Sequence, residues 1–501
     1  MPGKQPHIVI FNPDQWRGDV LGHMGNPAAV TPNLDRAVAT DAVSFRRAFC
    51  QNTVCTPSRC SFMTGWYPHV HGHRTMYHML REHEPVLLRQ LKDAGYYVWW
   101  GGKNDLLPGQ DGWEDHVDEK YAVPPEKADL YRRAHNHHVE KDWRGDPEGD
   151  NWYSFYAGKI EDPPDGGTYY DGDWANVHGA IDRIHNPPAD QPMCIYIPIG
   201  YPHPPYAVED PYYSMIDPEK IPPRTPTPED WSQKPSILKG IREGQRCEDW
   251  SEDRWRELRR TYYGMCTRVD HQFGLLCDAL KEAGIYDETA IFLFSDHGDF
   301  TGDYGLVEKT QNTFEDCLSR VPLIVKPPKD WDVQPRVSEA MIELIDFTAT
   351  TQELAGIEPD YTHFGRSLRE VVAGRTDQHR DAVFCEGGRL RGETHCMELQ
   401  SKSNQNPDGL YYPRLRLQTQ DEVMHHTKAA MCRTKDYKYV RRFYETDELY
   451  DLNADPRETT NRIDDPSLAG VLAELKDRLL TWYQETCDVV PHDTDDRNFR
   501  S

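Results

Sequence analysis

The sequence predicts an α/β protein: a large domain with a mostly parallel central sheet flanked by helices, followed by a small C-terminal α+β subdomain with an antiparallel sheet. Three observations support this prediction. Short apolar runs of strand length recur up to residue 325, helical patterns lie between them, and closely spaced strand patterns begin again at residue 429. Strands that alternate with helices are typical of a parallel sheet covered on both faces.

Five short apolar runs have the length and composition of buried parallel strands. They are residues 7–11, 96–100, 194–199, 290–294 and 322–325. The clearest helical patterns between them cover residues 85–94 and 255–283, and the second has apolar residues at spacings of three and four.

The composition changes twice along the chain. Residues 104–190 are rich in Asp, His, Trp, Tyr, Pro and Gly with little periodicity, so we expect an elaborated irregular insert. Near the end, residues 429–433, 437–443 and 448–451 indicate paired strands, and residues 468–484 an amphipathic helix. The predicted division is an α/β domain over 1–385, an irregular connecting region over 386–428 and a C-terminal α+β subdomain over 429–501.

The charge balance limits the classes of partner. The chain has 501 residues and a formal net charge of −26, and so acidic a protein repels nucleic-acid phosphates. We therefore expect no nucleic-acid partner. An anionic small-molecule substrate remains open, but its site must then be a local island of positive charge.

Cysteine usage and apolar runs bear on the compartment. The 12 cysteines show no CxxC pairs or zinc-finger spacing, which favours buried thiols in a reducing cytoplasm. The start, MPGKQPHIVIF, has no long apolar run after its lysine, so no signal peptide is visible. No stretch approaches the roughly 18 apolar residues of a membrane span. We expect a cytoplasmic protein without a membrane partner, and a homo-oligomer stays among the options.

Two acidic residues follow strands that are distant in sequence. Asp14 comes shortly after the first strand and Asp296 directly after the fourth, each beside a second polar residue, Gln15 and His297. Ligands of open parallel sheets gather beyond the carboxyl ends of the strands. Carboxylate and amide oxygens with one imidazole suit Ca²⁺, Mg²⁺ or Mn²⁺. The alternative is that these residues only hold turns or cap helices.

Cys55 precedes a predicted helix over residues 58–64. Pro57 is favoured in the first turn of a helix, so the Cys55 side chain should face free N–H groups and the positive helix end, a setting for anions. Arg59 adds a cation nearby. The thiol is then an acidic nucleophile or a small buried side chain, and these residues alone leave both open.

Several segments resemble the type I sulfatases, in the order in which that family has them. CTPSR at residues 55–59 resembles the C-x-P-S-R signature, and CSFMTG continues it. HIVIFNPDQ resembles the first metal-binding strand, GGK at 101–103 the Gly-Lys segment and PHPPY at 202–206 the His-x-Pro segment. SDHGDFTGDYG with Lys309 resembles the second metal-binding loop, and DYKYVRR with ELYDLNADPRETTN the C-terminal subdomain. The ordered set covers most of the chain.

This resemblance implies a formylglycine-dependent enzyme of the alkaline-phosphatase superfamily, in the group of sulfatases and phosphonate monoester hydrolases. It implies that Cys55 is oxidised by a formylglycine-generating maturation enzyme to 3-oxoalanine, whose hydrate is the nucleophile. The expected activity is hydrolysis of a sulfate ester on a saccharide or a small organic molecule. The expected cofactor is one divalent metal ion, Ca²⁺ first, with Mn²⁺ or Mg²⁺ as alternatives.

The resemblance also implies roles for individual residues. The metal ligands would be Asp14, Gln15, Asp296, His297 and the modified Cys55. Arg59 would hold the nucleophile, Lys103 and Lys309 would neutralise the sulfate, and His203 would protonate the leaving oxygen. Developing charge on an ester is stabilised by such fixed cations, and leaving-group protonation is general acid catalysis.

Three features depart from the common family pattern. Gln15 and His297 stand where many members have Asp and Asn, a combination familiar in phosphonate monoester hydrolases and some carbohydrate sulfatases. A phosphonate monoester or phosphodiester hydrolase is therefore the alternative function. The family's Gly-Lys segment often continues to a histidine, whereas Asn104 and Asp105 follow it here, and we expect Asp105 to bind a sugar hydroxyl or a cationic substrate group. His73 and Arg74 are further expected substrate contacts, because they follow the nucleophile's helix.

Two other classes remain open from the sequence. A non-catalytic binding protein would keep the fold without binding a divalent metal. A hydrolase that uses the Cys55 thiolate would need no maturation and would be inactivated by alkylation.

Overall fold

A computed structural model of the chain describes residues 5–109, 113–131, 146, 148–161, 169–398, 417–418, 425–492, 494 and 497. The strands of the central sheet, in chain order, are β1 His7–Pro13, β2 Val43–Phe49, β3 Tyr97–Trp100, β4 Glu119–Lys120, β6 Met193–Ile199, β8 Thr289–Phe294, β9 Arg320–Val321, β10 Leu323–Lys326 and β11 Arg336–Glu343. Two strands outside it, β5 Tyr156–Lys159 and β7 Tyr206–Val208, pair with each other.

The central sheet is mostly parallel, as the sequence predicts. Its strand order is β11-β2-β10-β8-β1-β6-β3-β4, with β9 beside β2. β1 lies in the middle and pairs in parallel with both β6 and β8. The carboxyl ends of β1 and β8 therefore meet at one edge of the sheet.

One predicted strand direction is wrong. The run 322–325 was expected to be parallel, but β10 pairs antiparallel with both β8 and β2. A strand that follows in the parallel direction must first be brought back to the starting edge of the sheet. This needs a crossover connection of about a dozen or more residues, which usually contains a helix. The segment between β8 and β10 contains a 3-10 turn, Asp303–Gly305, the short helix Asp316–Ser319 and the short strand β9, but no long helix that could carry the chain back across the sheet. β10 therefore enters the sheet from the end at which β8 stops. An apolar run indicates burial and carries no information on direction.

Helices cover both faces of the sheet. In chain order they are α1 Pro32–Thr40, α2 Cys55–Thr64, α3 Pro68–His71, α4 Leu87–Asp93, α5 Gly172–His185, α6 Tyr212–Met215, α7 Ser236–Gln245, α8 Glu252–Glu282, α9 Asp316–Ser319, α10 Asp346–Ala355, α11 Arg369–Val372 and α12 Ala469–Thr486. Alternate residues of β1 enter two different cores: Val9 and Phe11 face the side of α8, and Ile8 and Ile10 the side of α2 and α10. The alternation follows from the two-residue period of a strand.

The predicted irregular insert, 104–190, contains regular structure. It includes β4, β5 and the fourteen-residue helix α5, whose first turn is capped by the Asp171 carboxylate accepting from the backbone N–H groups of Asp173 and Trp174. An Asp followed by buried residues at helical spacing is a start signal that composition alone conceals. Parts of the insert, 110–112, 132–145, 147 and 162–168, lie outside the described residues.

The C-terminal sheet is antiparallel, with the order β12-β13-β14-β15. The last three strands, β13 Ala429–Arg433, β14 Tyr437–Arg442 and β15 Glu448–Asp451, lie where the sequence predicts them, and α12 packs against them. The sequence missed β12, Val383–Gly387, which spans the predicted boundary at residue 385. The three domain boundaries stay predictions, and most of the connecting region, 399–416 and 419–424, lies outside the described residues.

Two further findings bear on the sequence predictions. In the described ranges, no helix combines the length and apolar character that a membrane crossing needs. All twelve cysteines are free thiols, and most of them are buried.

Candidate active site

The sheet topology brings the two predicted acidic positions together. Asp14 follows β1 and Asp296 follows β8, and these strands are adjacent and parallel. The N-terminus of α2 meets the same edge, so that one potential ligand atom from each of four buried residues lies within 4.8 Å of the others. The four residues are Asp14, Cys55, Asp296 and His297. We call them the metal-site cluster.

Cys55 lies at the centre of the metal-site cluster. Its Sγ is 3.2 Å from His297 Nε2 and 3.5 Å from Asp14 Oδ1. The helix α2 begins at Cys55 itself, three residues before the predicted start at residue 58, because the Ser58 N–H already donates to Val54 O. Cys55 therefore occupies the first turn, where backbone N–H groups are free and the helix end is positive.

The setting of Cys55 bears on the thiolate alternative. Burial, and after it the Asp14 carboxylate, raises the pKa of the Cys55 thiol above its ordinary value. The thiol is therefore protonated at neutral pH. A reactive cysteine needs the opposite shift, so this environment disfavours a thiolate nucleophile.

Arg59 fixes the orientation of both carboxylates. Its Nη2 donates to Asp14 Oδ2 at 2.9 Å and its Nε to Asp296 Oδ2 at 3.0 Å, with all three side chains fully buried. Each carboxylate thus gives one oxygen to the guanidinium and turns the other, Oδ1, toward Cys55 and His297. A planar guanidinium with several donors is suited to this bridging role.

The His297 ring presents a lone pair to the metal-site cluster. Its Nδ1 lies 2.9 Å from Gly298 O, and because a carbonyl only accepts, Nδ1 carries the hydrogen. Burial lowers the pKa of His297, so the ring is neutral and Nε2 is unprotonated. A ring that donates from one nitrogen to a carbonyl and offers the other is the usual arrangement of a metal-ligating histidine.

Gln15 is held in a strained backbone conformation. Its φ of 71° is uncommon for a residue other than glycine and is typical of functional sites. The Gln15 N–H donates to Asp296 Oδ1 at 3.1 Å, and its carbonyl accepts from the Tyr262 hydroxyl at 2.7 Å. The side-chain oxygen accepts from Lys309 Nζ at 2.5 Å, which leaves a second lone pair on that oxygen.

Lys103 reaches the metal-site cluster from the end of β3. Its Nζ lies 2.5 Å from Asp14 Oδ2, 3.6 Å from Cys55 Sγ and 2.9 Å from Asp105 Oδ2. The preceding Gly102 permits this approach, since it has a φ of 130° and a Cβ there would lie 2.0 Å from Pro198 O. Asp105 thus serves as a carboxylate partner of Lys103.

The nearby cations keep Asp14 ionised. Burial opposes ionisation of Asp14, but the cations around it, Lys103 first, lower its pKa well below the ordinary value. The charge island that an anionic substrate requires is therefore present: Lys103, Lys309 and Arg59 lie around one buried carboxylate pair.

His203 lies in the segment after β6. Its Nδ1 is 2.6 Å from Pro204 O and therefore carries the hydrogen, leaving Nε2 unprotonated in the neutral ring. Burial, followed by the charges of Lys309 and Lys103, lowers the pKa of His203 well below its ordinary value. Without an anion beside it, this ring is neutral at pH 7.

Two predicted substrate contacts do not join the metal-site cluster. His73 Nε2 lies 3.0 Å from Glu84 Oε2, and its Nδ1 2.7 Å from His78 O. Arg74 donates to Gly388 O and to Glu393 Oε1, both at 2.9 Å. Within the described part of the chain neither side chain contacts a residue of the cluster.

The sequence analysis missed the layer that supports these residues. Asp299 Oδ2 accepts from Gln15 Nε2 at 2.5 Å and from the Tyr206 hydroxyl at 2.8 Å, and burial raises the pKa of Asp299 to about 6. Tyr196 lies beside Arg59, with its hydroxyl 3.5 Å from Nη1. The second Asp of DHGD was visible as a signal for Asp299. Tyr206 ends the PHPPY segment, but that segment gave no role for it, and nothing in the sequence around Tyr196 marks that residue.

The donor set fits a hard divalent cation. Two carboxylate oxygens and one unprotonated imidazole nitrogen converge. Gln15, the residue after Asp14, has an amide oxygen with a second lone pair beside its bond from Lys309. Oxygen-rich sets with one nitrogen suit Ca²⁺, Mn²⁺ or Mg²⁺ rather than a thiolate-bound metal. The cluster is thus chemically able to hold an ion.

Comparisons with known proteins agree with this site. A family profile described as Sulfatase matches residues 6–357, and one described as N-sulphoglucosamine sulphohydrolase, C-terminal, matches residues 386–485. An arylsulfatase of Clostridium perfringens is 27% identical over 413 residues, 76% of this chain and 81% of that protein. A choline-sulfatase of Rhizobium meliloti is 26% identical over 483 residues, 92% of this chain and 83% of that protein. The crystal structure of a phosphonate monoester hydrolase of Agrobacterium radiobacter shares the fold, with a TM-score of 0.76 at 24% identity over 96% of each chain.

Fold, site and relatives define a sulfuric ester hydrolase of the alkaline-phosphatase superfamily. The chain belongs to the sulfatase family, whose profile matches more than half of it. The predicted family, fold class and enzyme class are therefore confirmed. Membership implies a divalent metal ion and a formylglycine, and the metal-site cluster is the group able to hold that ion.

Proposed function

We propose that this enzyme hydrolyses a sulfated saccharide or a small organic sulfate with a formylglycine hydrate, derived from Cys55, as the nucleophile and one divalent metal ion beside it. The proposal rests on one observation. The side chain of residue 55 lies within the metal-site cluster, 3.2 Å from His297 Nε2 and 3.5 Å from Asp14 Oδ1. A nucleophile generated there would lie among the residues that would hold the ion.

The proposed nucleophile requires a maturation enzyme that oxidises the Cys55 side chain to an aldehyde. Hydration of that aldehyde supplies two oxygen atoms on one carbon in place of one sulfur. Lys103 Nζ, 3.6 Å from the present sulfur, would stabilise negative charge on these oxygens, together with the positive end of α2. Arg59 acts indirectly, since it orients the carboxylates.

The proposed ligands of the metal ion are Asp14 Oδ1, Asp296 Oδ1, His297 Nε2, the Gln15 amide oxygen and one oxygen of modified residue 55. When bound, the ion polarises the sulfate and lowers the pKa of the nucleophile. Ca²⁺ is the ion we expect first, with Mn²⁺ or Mg²⁺ as alternatives, because four donors of the set are oxygens.

Lys103 and Lys309 are proposed to hold the sulfate oxygens. Both ammonium groups already lie against site residues, at Asp14 and at the Gln15 amide oxygen, respectively. Fixed cations of this kind stabilise charge as it moves onto the leaving group, and losing one typically costs about 10²–10³ in rate.

His203 is proposed to protonate the leaving oxygen. The monoanionic sulfate ester group, placed between the two lysines, would partly offset the positive charges that lower the pKa of His203. The protonated ring keeps its Nδ1 bond to Pro204 O and donates from Nε2. Such a donor contributes about 10²–10⁴ in rate, most for poor leaving groups.

The substrate class is supported by the family and by the names of relatives. These include an arylsulfatase, a choline-sulfatase and an N-acetylglucosamine-6-O-sulfatase. We propose Asp105, His73 and Arg74 as further substrate contacts. Each already has a protein partner, so a substrate must share or displace that partner.

The alternative function, hydrolysis of a phosphonate monoester or a phosphodiester, uses the same site. It is favoured by Gln15 and His297, which lower the negative charge of the metal ligands relative to an all-carboxylate set. Rates on the sulfate, phosphonate and phosphodiester forms of one aryl alcohol separate the two. We expect the sulfate to have the highest kcat/KM, and a higher value for the phosphonate would reverse the order.

Mass analysis of one peptide tests the nucleophile. Tryptic peptide 48–59 contains Cys55, and we expect it to be lighter than the gene encodes when the protein is produced with a maturation enzyme. Protein produced without that enzyme is the control and should keep the thiol and lack activity. Full activity in protein with an unmodified thiol would refute the proposal.

A further inference from the structure

A second polar pocket lies outside the metal-site cluster, next to the residues that follow β1 and β8. It has a volume of about 390 Å³, within the range of small-molecule sites. Five arginines contribute to its wall, and we call it the arginine pocket: Arg17, Arg46, Arg259, Arg320 and Arg457. So many cations around one cavity are unexpected in a chain with a net charge of −26.

Two of these arginines, Arg259 and Arg320, each have a buried Nε–H group without a hydrogen-bond partner. Arg259 is only 5% exposed; it donates to Pro222 O and to the Tyr263 hydroxyl, and its Nε has no hydrogen-bond partner. The buried Nε of Arg320 also lacks a partner. Among the described residues neither guanidinium lies within ion-pair distance of a carboxylate, and the same holds for the exposed Arg457.

The acidic side chains of the wall compensate these charges only in part. Asp19 and Asp303 both pair with Arg17, and the charges of Arg320 and Arg259 also help to lower the pKa of Asp19. Asp316 and Glu458 pair with Arg433 and Lys438, which lie outside the wall, and Arg46 pairs with Glu339. Five arginines against four carboxylates leave the wall with a small surplus of positive charge. A buried cation without a counter-ion is costly, so this arrangement favours an anion inside the cavity.

We propose that the arginine pocket binds a tetrahedral oxyanion, either free inorganic sulfate or phosphate or the sulfate group of a small organic molecule. Guanidinium groups present paired N–H donors that match the oxygens of such an anion. Arg259 and Arg320 supply unsatisfied donors from the buried wall, and Arg457 adds an exposed guanidinium. The assignment does not depend on the formylglycine chemistry.

The pocket shares a wall with the active site. Arg17 donates to Phe300 O at 2.8 Å and pairs with Asp303, both in the loop after β8. The same loop carries Asp299, which holds Gln15. An anion in the arginine pocket would thus lie on the far side of the loop that supports a proposed metal ligand.

Calorimetric titration of the metal-loaded enzyme with sodium sulfate tests the proposal. The double substitution Arg320→Gln and Arg457→Gln spares the buried Arg259, and we expect the fold to be retained, which circular dichroism and an unchanged kcat check. We expect this variant to lose one binding event of the wild type, or to weaken it at least about tenfold. The matched control, Arg375→Gln, removes an exposed arginine paired with Glu370 and Asp332 and should not change the titration.

A second titration separates the two sources of the anion. A non-hydrolysable alkyl sulfonate carries the same three oxygens on an organic group. Binding of both ligands, lost together in the double variant, indicates a pocket open to organic sulfates; binding of sulfate alone indicates an inorganic ion site. If the double variant and the wild type bind sulfate with the same number of sites and the same affinities, the proposal is wrong.

Discussion

Two buried networks of charged side chains in this protein look alike in composition and differ in what they leave open. In the network beside the C-terminal sheet, Asp316 uses both carboxylate oxygens on Arg433 and one of them also on Lys438, at 2.8–3.1 Å. In the metal-site cluster, Asp14 and Asp296 bind Arg59 through Oδ2 and turn Oδ1 toward a thiol and a neutral imidazole. In the first network both carboxylate oxygens of Asp316 are bound by cations of the chain, whereas the second converges on a point where a further cation fits.

The comparison shows that burial and ion pairing do not identify a functional site. Both networks are buried and both contain Arg–carboxylate pairs. What separates them is the orientation of individual oxygen atoms. The two networks should therefore respond in opposite ways to substitution, one in activity and the other in stability.

The largest expected effect is on the metal-site cluster. Asp296→Asn should lower kcat/KM at least about 10³-fold, because it removes a ligand of the ion that polarises the ester. Metal content, measured by plasma mass spectrometry on the purified protein, should fall with it. Dialysis of the wild type against a chelator should give the same loss, reversed by adding Ca²⁺ or Mn²⁺. An Asp296→Asn variant with full activity would show that the cluster is not the metal site.

The second largest expected effect tests whether His203 protonates the leaving oxygen. His203→Asn should lower kcat/KM by about 10²–10⁴ for alkyl sulfates and far less for a 4-nitrophenyl ester, whose leaving group needs no proton. Because the pKa of His203 in the free enzyme lies well below the ordinary 6.5, the protonated ring becomes abundant only as the pH falls well below 6.5. The wild-type kcat/KM for a poor leaving group should therefore continue to rise as the pH is lowered below 6.5.

The control for this experiment is the leaving-group series itself. Equal losses for good and poor leaving groups would assign His203 to binding and remove it as the proton donor. The acid-side rise in kcat/KM should also disappear in His203→Asn while the protein stays folded by circular dichroism.

The third effect is on stability. Lys438 is buried and pairs with Asp316 and Glu458. Lys438→Met should destabilise the fold by about 3–5 kcal/mol, the usual cost of removing one partner of a buried ion pair. Denaturant unfolding measures this loss, and kcat per folded molecule should stay unchanged. A large drop in kcat without a loss of stability would contradict the separation of the two networks.

The smallest expected effect is at Arg74. Its guanidinium is already bound by Gly388 O and Glu393, so only part of it is available to a substrate. Arg74→Gln should raise KM less than about tenfold and leave kcat within about twofold, as expected for a charged hydrogen bond that is shared. The measurement is steady-state kinetics on one aryl sulfate, with Arg375→Gln as the control for loss of a surface charge.

The sequence predicted the elements on which the site is built, because its signals there are local. Apolar runs marked β1, β6 and β8, and the polar residues directly after two of them are those that the parallel pairing brings together. The antiparallel direction of β10 and the strand β12 were missed, because direction and pairing depend on distant segments. Helix α5 was missed because its unusual composition concealed a helical spacing.

The contacts that support the site could not be predicted from the sequence, although Asp299 stands in the DHGD segment. Asp299, Tyr206 and Tyr196 act through distances that exist only in the folded chain. The carboxylate partner of Lys103, Asp105, is two residues away and could be suspected from the sequence. The partner of Arg74, Glu393, is distant in the chain and could not. The residue types predicted which side chains could bind a metal ion or an anion. The hydrogen-bond partner of each nitrogen and oxygen is known only from the folded structure.

The Arg59 guanidinium, which bridges Asp14 and Asp296, bears on how the chain folds before a metal ion binds. Two like-charged groups that meet in a dry interior would push each other apart, and the strands carrying them would separate. A permanent counter-charge within the chain removes that repulsion. We therefore expect the chain to fold before the metal ion binds. Binding of the ion would then be a late and reversible step that depends on the concentration of the metal.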